Sequence, residues 1–98
     1  MPQDLFTEAA RANIADALAW FEASAPEAAP QFQEALRGVV GRIERSPRQF
    51  PATPHNTRRA LLRRFPYLVI FREIGNDTIV VAVFHTRRDP RARRARMS

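Results

Sequence analysis

Ninety-eight residues provide enough chain for one domain and too little for a second. An apolar fraction of 45% permits a packed core and argues against global disorder, while the lack of cysteine excludes disulfides and thiolate metal sites. No apolar run approaches the roughly 18 residues that a spanning helix needs. The acidic start Met1-Pro2-Gln3-Asp4 lacks the basic, apolar layout of a secretory signal, so a cytoplasmic protein is expected.

All 16 basic residues are arginine, set against 10 acids for a net charge of +6. Codon bias alone can produce an arginine-only composition, so the distribution of charge says more than its total. Residues 1–49 carry five arginines and seven acids, whereas residues 50–98 carry eleven and three. This asymmetry points to an anionic partner for the second half, either nucleic acid or an acidic protein.

Thr7 is placed to cap a first helix, with Glu8 in the favourable first turn. Ala10, Ile14, Ala17, Leu18 and Phe21 recur at three- and four-residue spacing and form one apolar stripe, with Trp20 beside it. Pro26 and Pro30 end this helix near Ala23 and open the next, since proline costs nothing in a first turn. Phe32, Leu36, Val39, Val40 and Ile43 then give the clearest helical period in the chain. Gly38 and Gly41 interrupt that helix, and close approach to the first helix is one reason for them. Ser46-Pro47 stops it, after Arg42 and Arg45 in the negative C-terminal turn. The expected result is an antiparallel helical hairpin over residues 7–45.

Residues 46–57 hold three prolines and read as a loop without helix or central strand. Arg58 to Phe65 fits a short strand with Leu61 and Phe65 on one face and Arg64 on the other. Tyr67 to Ile74 reads as a second strand, Gly75-Asn76-Asp77 as a tight turn, and Thr78 to His85 as the partner strand. Within that last strand Ile79-Val80-Val81-Ala82-Val83-Phe84 does not alternate. Two short helices cover one face of a small sheet and not both, so an apolar second face calls for another cover. That cover is a loop, the C-terminal tail folded back, another copy of the chain, or a different protein.

Several strings in this order resemble the RelE/ParE superfamily of toxins. Phe6-Thr7-Glu8-Ala9 opening a helix and Ala19-Trp20-Phe21-Glu22 near its end look like the family's start. Arg45-Ser46-Pro47-Arg48-Gln49-Phe50-Pro51 is similar to its loop after the second helix. Arg58-Arg59-Ala60-Leu61-Leu62-Arg63-Arg64-Phe65-Pro66-Tyr67, Phe71-Arg72 and Val83-Phe84-His85-Thr86-Arg87-Arg88-Asp89-Pro90 look closest to the ParE-like branch. The resemblance spans about residues 5–90. It implies a single α+β toxin domain over residues 1–98: a helical hairpin on one face of a three- or four-stranded antiparallel sheet at 58–86, with a basic tail at 87–98. Relatives usually begin with a full strand, for which only Pro2 to Phe6 are available here.

The resemblance also implies a cognate acidic antitoxin, encoded adjacently, that supplies the missing cover through Tyr67, Val80, Ala82 and Phe84. Two activities occur among relatives. Ribosome-dependent mRNA cleavage needs a base, an acid and cations around a crowded phosphate; its candidates are His85, Arg72, Arg87 and Glu73, a thin inventory without lysine. Poisoning of DNA gyrase needs a binding surface and no chemistry, and the ParE-like strings favour it. Arg58, Arg59, Arg63, Arg64, Arg87 and Arg88 are then candidates for contacting the target or nucleic acid, with a solvated edge as the plain alternative. A basic RNA-binding or adaptor module is a third reading, weakened by the lack of an aromatic stacking array. The four arginines of the tail read as a mobile, solubilising end, Asp89 as a local ion pair, and His55 as without a role. No metal, small-molecule cofactor or membrane partner is expected, because the histidines are isolated and the three glycines scattered.

Overall fold

A computed structural model describes residues 5–96; Met1–Asp4, with most of the expected first strand and the acidic start, lie outside the described residues, as do Met97 and Ser98. Thr7 caps helix α1 (Glu8–Ser24) as its spacing predicts, its Oγ1 accepting from the Ala10 N–H at 3.1 Å. A 3₁₀ turn over Pro26–Ala28 leads into α2 (Ala29–Arg45), which ends at Ser46. Every residue of the second stripe (Phe32, Leu36, Val39, Val40 and Ile43) is buried. Of the first stripe, Ala10, Ala17 and Phe21 are buried, while Ile14 and Leu18 pack at its margin.

The helices lie on one face of a four-stranded antiparallel sheet in the order β1-β2-β3-β4, comprising Ala52–Thr53, Thr57–Leu61, Tyr67–Ile74 and Asp77–His85. The core between the layers takes Ala60 from β2, Tyr67, Val69 and Phe71 from β3, and Val80 and Val83 from β4. Its densest part is aromatic. Phe32 meets Tyr67 at a centroid distance of 5.0 Å, Phe21 at 5.2 Å and Phe65 at 5.7 Å.

Two expected boundaries shift. The Pro-rich loop contains a 3₁₀ turn at Pro47–Gln49 and the two-residue edge strand β1, tied to β2 by contact between the Thr53 and Thr57 hydroxyls. Proline at 51 and 54 keeps this edge short, one way of blunting a sheet edge. The strand expected over Arg58–Phe65 stops at Leu61, because Arg64 adopts φ 70° and Pro66 follows. The turn that results folds Phe65 into the aromatic cluster and leaves Leu61 58% exposed. Between β3 and β4 the turn is Gly75-Asn76, with glycine at φ 62° in the first central position, as type II′ hairpins favour.

The unbroken apolar run of β4 has a local cause. The pairing register slips between Ile70 and Phe71, so Val80 faces Phe71 while Ala82 faces Ile70. Val81 is the extra residue of a β-bulge. Val80 and Val83 therefore point to the helices, while Val81, Ala82 and Phe84 pack on the opposite face with Leu68 and Ile70.

The outer edge of β4 is closed by the chain itself. Val80 donates to the Leu5 carbonyl at 2.8 Å and its carbonyl accepts from Thr7 at 2.9 Å, making a parallel bridge at Phe6. Asn13 Oδ1 accepts the Val83 N–H at 3.0 Å. Among the described residues the expected first strand contributes the bridge at Phe6, with the Asn13 side chain bonding further along the same edge.

Gly38 and Gly41 do not bring the helices together. A Cβ at Gly38 meets nothing within 4 Å, and one at Gly41 meets only the Arg45 guanidinium at 3.4 Å. Gly38 therefore costs helix stability without a packing return. Gly38→Ala is expected to stabilise the fold by about 1 kcal/mol, raising Tm by about 4–8 °C. A melt at or below the parent Tm would contradict this.

Candidate functional surfaces

The tail is ordered where a mobile end was expected. Asp89 accepts from the Arg91 Nε at 3.0 Å and Nη2 at 2.7 Å, a local ion pair that holds its carboxyl below the usual carboxylate range. Helix α3 (Pro90–Arg96) starts there and lies across the far face of the sheet. Ala92 is fully buried against Leu68 and Ile70, and Arg91 stacks on the Phe84 ring at 4.5 Å. The tail therefore supplies part of the second cover.

The cover is incomplete. Beside α3 a groove of about 550 Å³ runs between Arg91 and Arg94 on one side and Pro54, His55 and Arg72 on the other, floored by Ile70, Val81, Ala82 and Phe84. A second groove, of about 700 Å³, is lined by Leu61, Pro66 and Leu68, with Arg59 and Arg87 on its rim. The uncovered far face is thus apolar in the middle and cationic at its margins.

Two of the four residues expected to meet an antitoxin lie elsewhere. Tyr67 and Val80 are buried in the helix-side core, at 4% and 2% exposure, because alternation on β3 and the bulge on β4 turn them inward. Ala82 and Phe84 lie on the far face. Sequence reasoning missed Leu61, Leu68, Ile70 and Val81; alternation along β3 signals Leu68 and Ile70, whereas Val81 depends on the bulge that only the pairing reveals.

The nuclease candidates do not converge. Arg72 donates to the His55 carbonyl at 3.1 Å, near the turn end of the sheet. Glu73 faces the other side, 3.7 Å from both Arg48 and Arg58. His85 pairs with Tyr67, five positions along β3 from Arg72, or about 17 Å at strand spacing.

His85 Nδ1 accepts the backbone N–H groups of Arg87 and Arg88 at 3.1 and 2.9 Å, so it serves as the cap of the turn into α3. Burial lowers its pKa, and the Arg88 and Arg87 guanidinium groups lower it further. Tyr67 Oη accepts from Arg88 at 3.0 Å, yet burial raises the pKa of the phenol, with Arg88 opposing. The unfolded histidine binds protons more readily than the folded one, so stability is complete above the ordinary histidine value of 6.5 and falls as pH drops through and below it. Wild type should lose Tm between pH 7 and 5, and His85→Asn, which keeps an acceptor, should lose less. Parallel Tm profiles for the two would refute the assignment.

The six-arginine patch is likewise dispersed. Arg58 donates to the Phe50 carbonyl at 2.7 Å beside Glu73, Arg59 faces the far side with Leu61, and Arg63 lies against α2. Arg64 is exposed in the turn, Arg87 borders the Leu61 groove, and Arg88 lies over the Trp20 ring at 4.2 Å. Among the described residues no group of three or more His, Asp or Glu side chains could hold a metal, and no helix is long and apolar enough to cross a membrane.

Among curated proteins no sequence matches the chain. The structure is similar to a chain of the chromosomal ParDE toxin–antitoxin system from P. aeruginosa, with a TM-score of 0.71 and 19% identity over 82% of this chain and 90% of that one. At that identity the likeness speaks to the fold, an α+β arrangement of helices before a four-stranded antiparallel sheet. The model of the ParE toxin of type II toxin–antitoxin systems, parDE, matches residues 5–90, the span in which the quoted strings lie. This chain therefore belongs to the ParE toxin family.

Proposed function

We propose that this ParE toxin arrests growth by binding DNA gyrase, without chemistry of its own, and that a cognate acidic antitoxin neutralises it by docking on the far face of the sheet. The observation that carries the antitoxin surface is the arginine-rimmed apolar groove that α3 leaves open. Its floor offers burial to an amphipathic segment, and Arg59, Arg72, Arg87 and Arg94 offer bidentate donors to carboxylates. Gyrase as target follows the ParE-like character of the strings. The dispersal of His85, Arg72, Arg87 and Glu73 supports a binding toxin over a nuclease, since acid–base assistance needs groups within hydrogen-bond reach of one substrate.

The target is tested with purified toxin in a gyrase supercoiling assay. Inhibition with a trapped cleavage complex is expected, and unaffected supercoiling would remove gyrase from the reading. The docking surface is tested separately with the acidic protein encoded next to the toxin. Arg72→Glu with Arg94→Glu should weaken its binding at least tenfold, while unchanged affinity would place the antitoxin elsewhere.

A further inference from the structure

On the helix side of the molecule, away from the proposed docking face, Arg42, Arg45 and Arg63 surround a notch of about 340 Å³ floored by Ala35, Gly38 and Val39. The three come from two elements, α2 and the turn after β2. All three are exposed, and none has a carboxylate within ion-pair distance among the described residues. Arg37, Arg48, Arg58 and Arg91, which do pair with carboxylates, lie elsewhere. Glu44, the nearest acid in sequence, lines the opposite flank of α2 beside Leu36 and Val40.

The negative end of α2 accounts for Arg42 and Arg45. It does not account for Arg63, which tertiary folding brings to the same notch. Three like charges around one small space raise the local positive potential and favour an anion there. Arg42 is also oriented, stacking over the Phe50 ring at 5.6 Å, whereas the Arg45 guanidinium lies beside Gly41, at the border with the Glu44 flank. The floor includes Ala35 and Gly38, and no Cβ occupies it at Gly38. That space suits one compact oxyanion better than a row of peptide side chains.

We propose that the Arg42–Arg45–Arg63 notch binds a phosphate group, with arginine forks supplying paired N–H donors to its oxygens. The group is either a backbone phosphate of duplex DNA or free phosphate. This assignment is independent of gyrase as target and of the antitoxin surface.

The test compares the wild-type chain with two variants of equal net charge. Arg42→Gln/Arg45→Gln/Arg63→Gln empties the notch, and Arg64→Gln/Arg87→Gln/Arg93→Gln removes the same charge from exposed arginines outside it. With a 20-base-pair duplex as probe, the notch variant is expected to bind at least fivefold more weakly than its matched control. Its salt slope should be shallower than that of the control by about one unit, the contribution of one neutralised phosphate. Gly38→Asp, which keeps all three arginines but sets a carboxylate on the floor, should weaken duplex binding as well.

If the two triple variants bind duplex equally, titration with inorganic phosphate decides between free phosphate and no site. Saturable shifts of the Arg42, Arg45 and Arg63 Nε–H resonances would then assign free phosphate. Equal duplex binding together with unmoved resonances would overturn the proposal. Superimposable circular-dichroism spectra for the variants guard against a folding artefact.

Discussion

Phe32→Ala is expected to destabilise the fold by about 3–5 kcal/mol, as complete truncation of a buried aromatic does. Phe32 is fully buried at the centre of the aromatic cluster, with Phe21, Phe65 and Tyr67 all within 6 Å of its centroid. These rings come from α1, from the turn after β2 and from β3, so the cavity opens where three parts of the chain meet. Small domains hold only about 5–15 kcal/mol in total, so one truncation removes a large share. Urea unfolding should show a lower midpoint with an unchanged slope. A loss under about 1 kcal/mol would mean that neighbouring rings collapse into the space, contrary to the packing described.

Ala92→Asp should act locally. Ala92 is fully buried on the face of α3 that packs on Leu68 and Ile70. A carboxylate there has no buried partner, and burying it uncompensated costs more than the packing of one short helix returns. The expected outcome is detachment of α3 while the hairpin and sheet remain folded. Amide exchange should accelerate in residues 90–96 and not in β3, and the bared far face should bind an apolar dye. Global unfolding in step with α3 would show that the tail is an integral layer of the core. Unchanged exchange would show that the far face tolerates charge under α3.

The two substitutions separate the faces of one sheet. The helix face depends on large rings locked together, and the far face on a light cover of alanines and one stacked arginine, Arg91. So light a cover leaves beside it the groove on which the antitoxin is proposed to dock.

Much of this architecture was legible in the residues themselves. Thr7 as a cap, the stripe from Phe32 to Ile43, the stop at Ser46-Pro47 and the strand Tyr67–Ile74 all follow from short-range rules of hydrogen bonding, periodicity and proline geometry. The strings that placed the chain among ParE-like toxins were equally local. Other features depended on contacts between distant segments, and local rules do not encode those. A slipped register put Val81 and Ala82 on the same face, and the left-handed turn at Arg64 ended β2 early. The parallel bridge at Phe6 closed an edge, and α3 found a seat on Leu68 and Ile70. Which arginines became neighbours was settled in the same way. Side chains as far apart in sequence as Arg42 and Arg63 share a notch only because the sheet and helix pack together, whereas adjacent Arg58 and Arg59 point to opposite faces because a strand alternates.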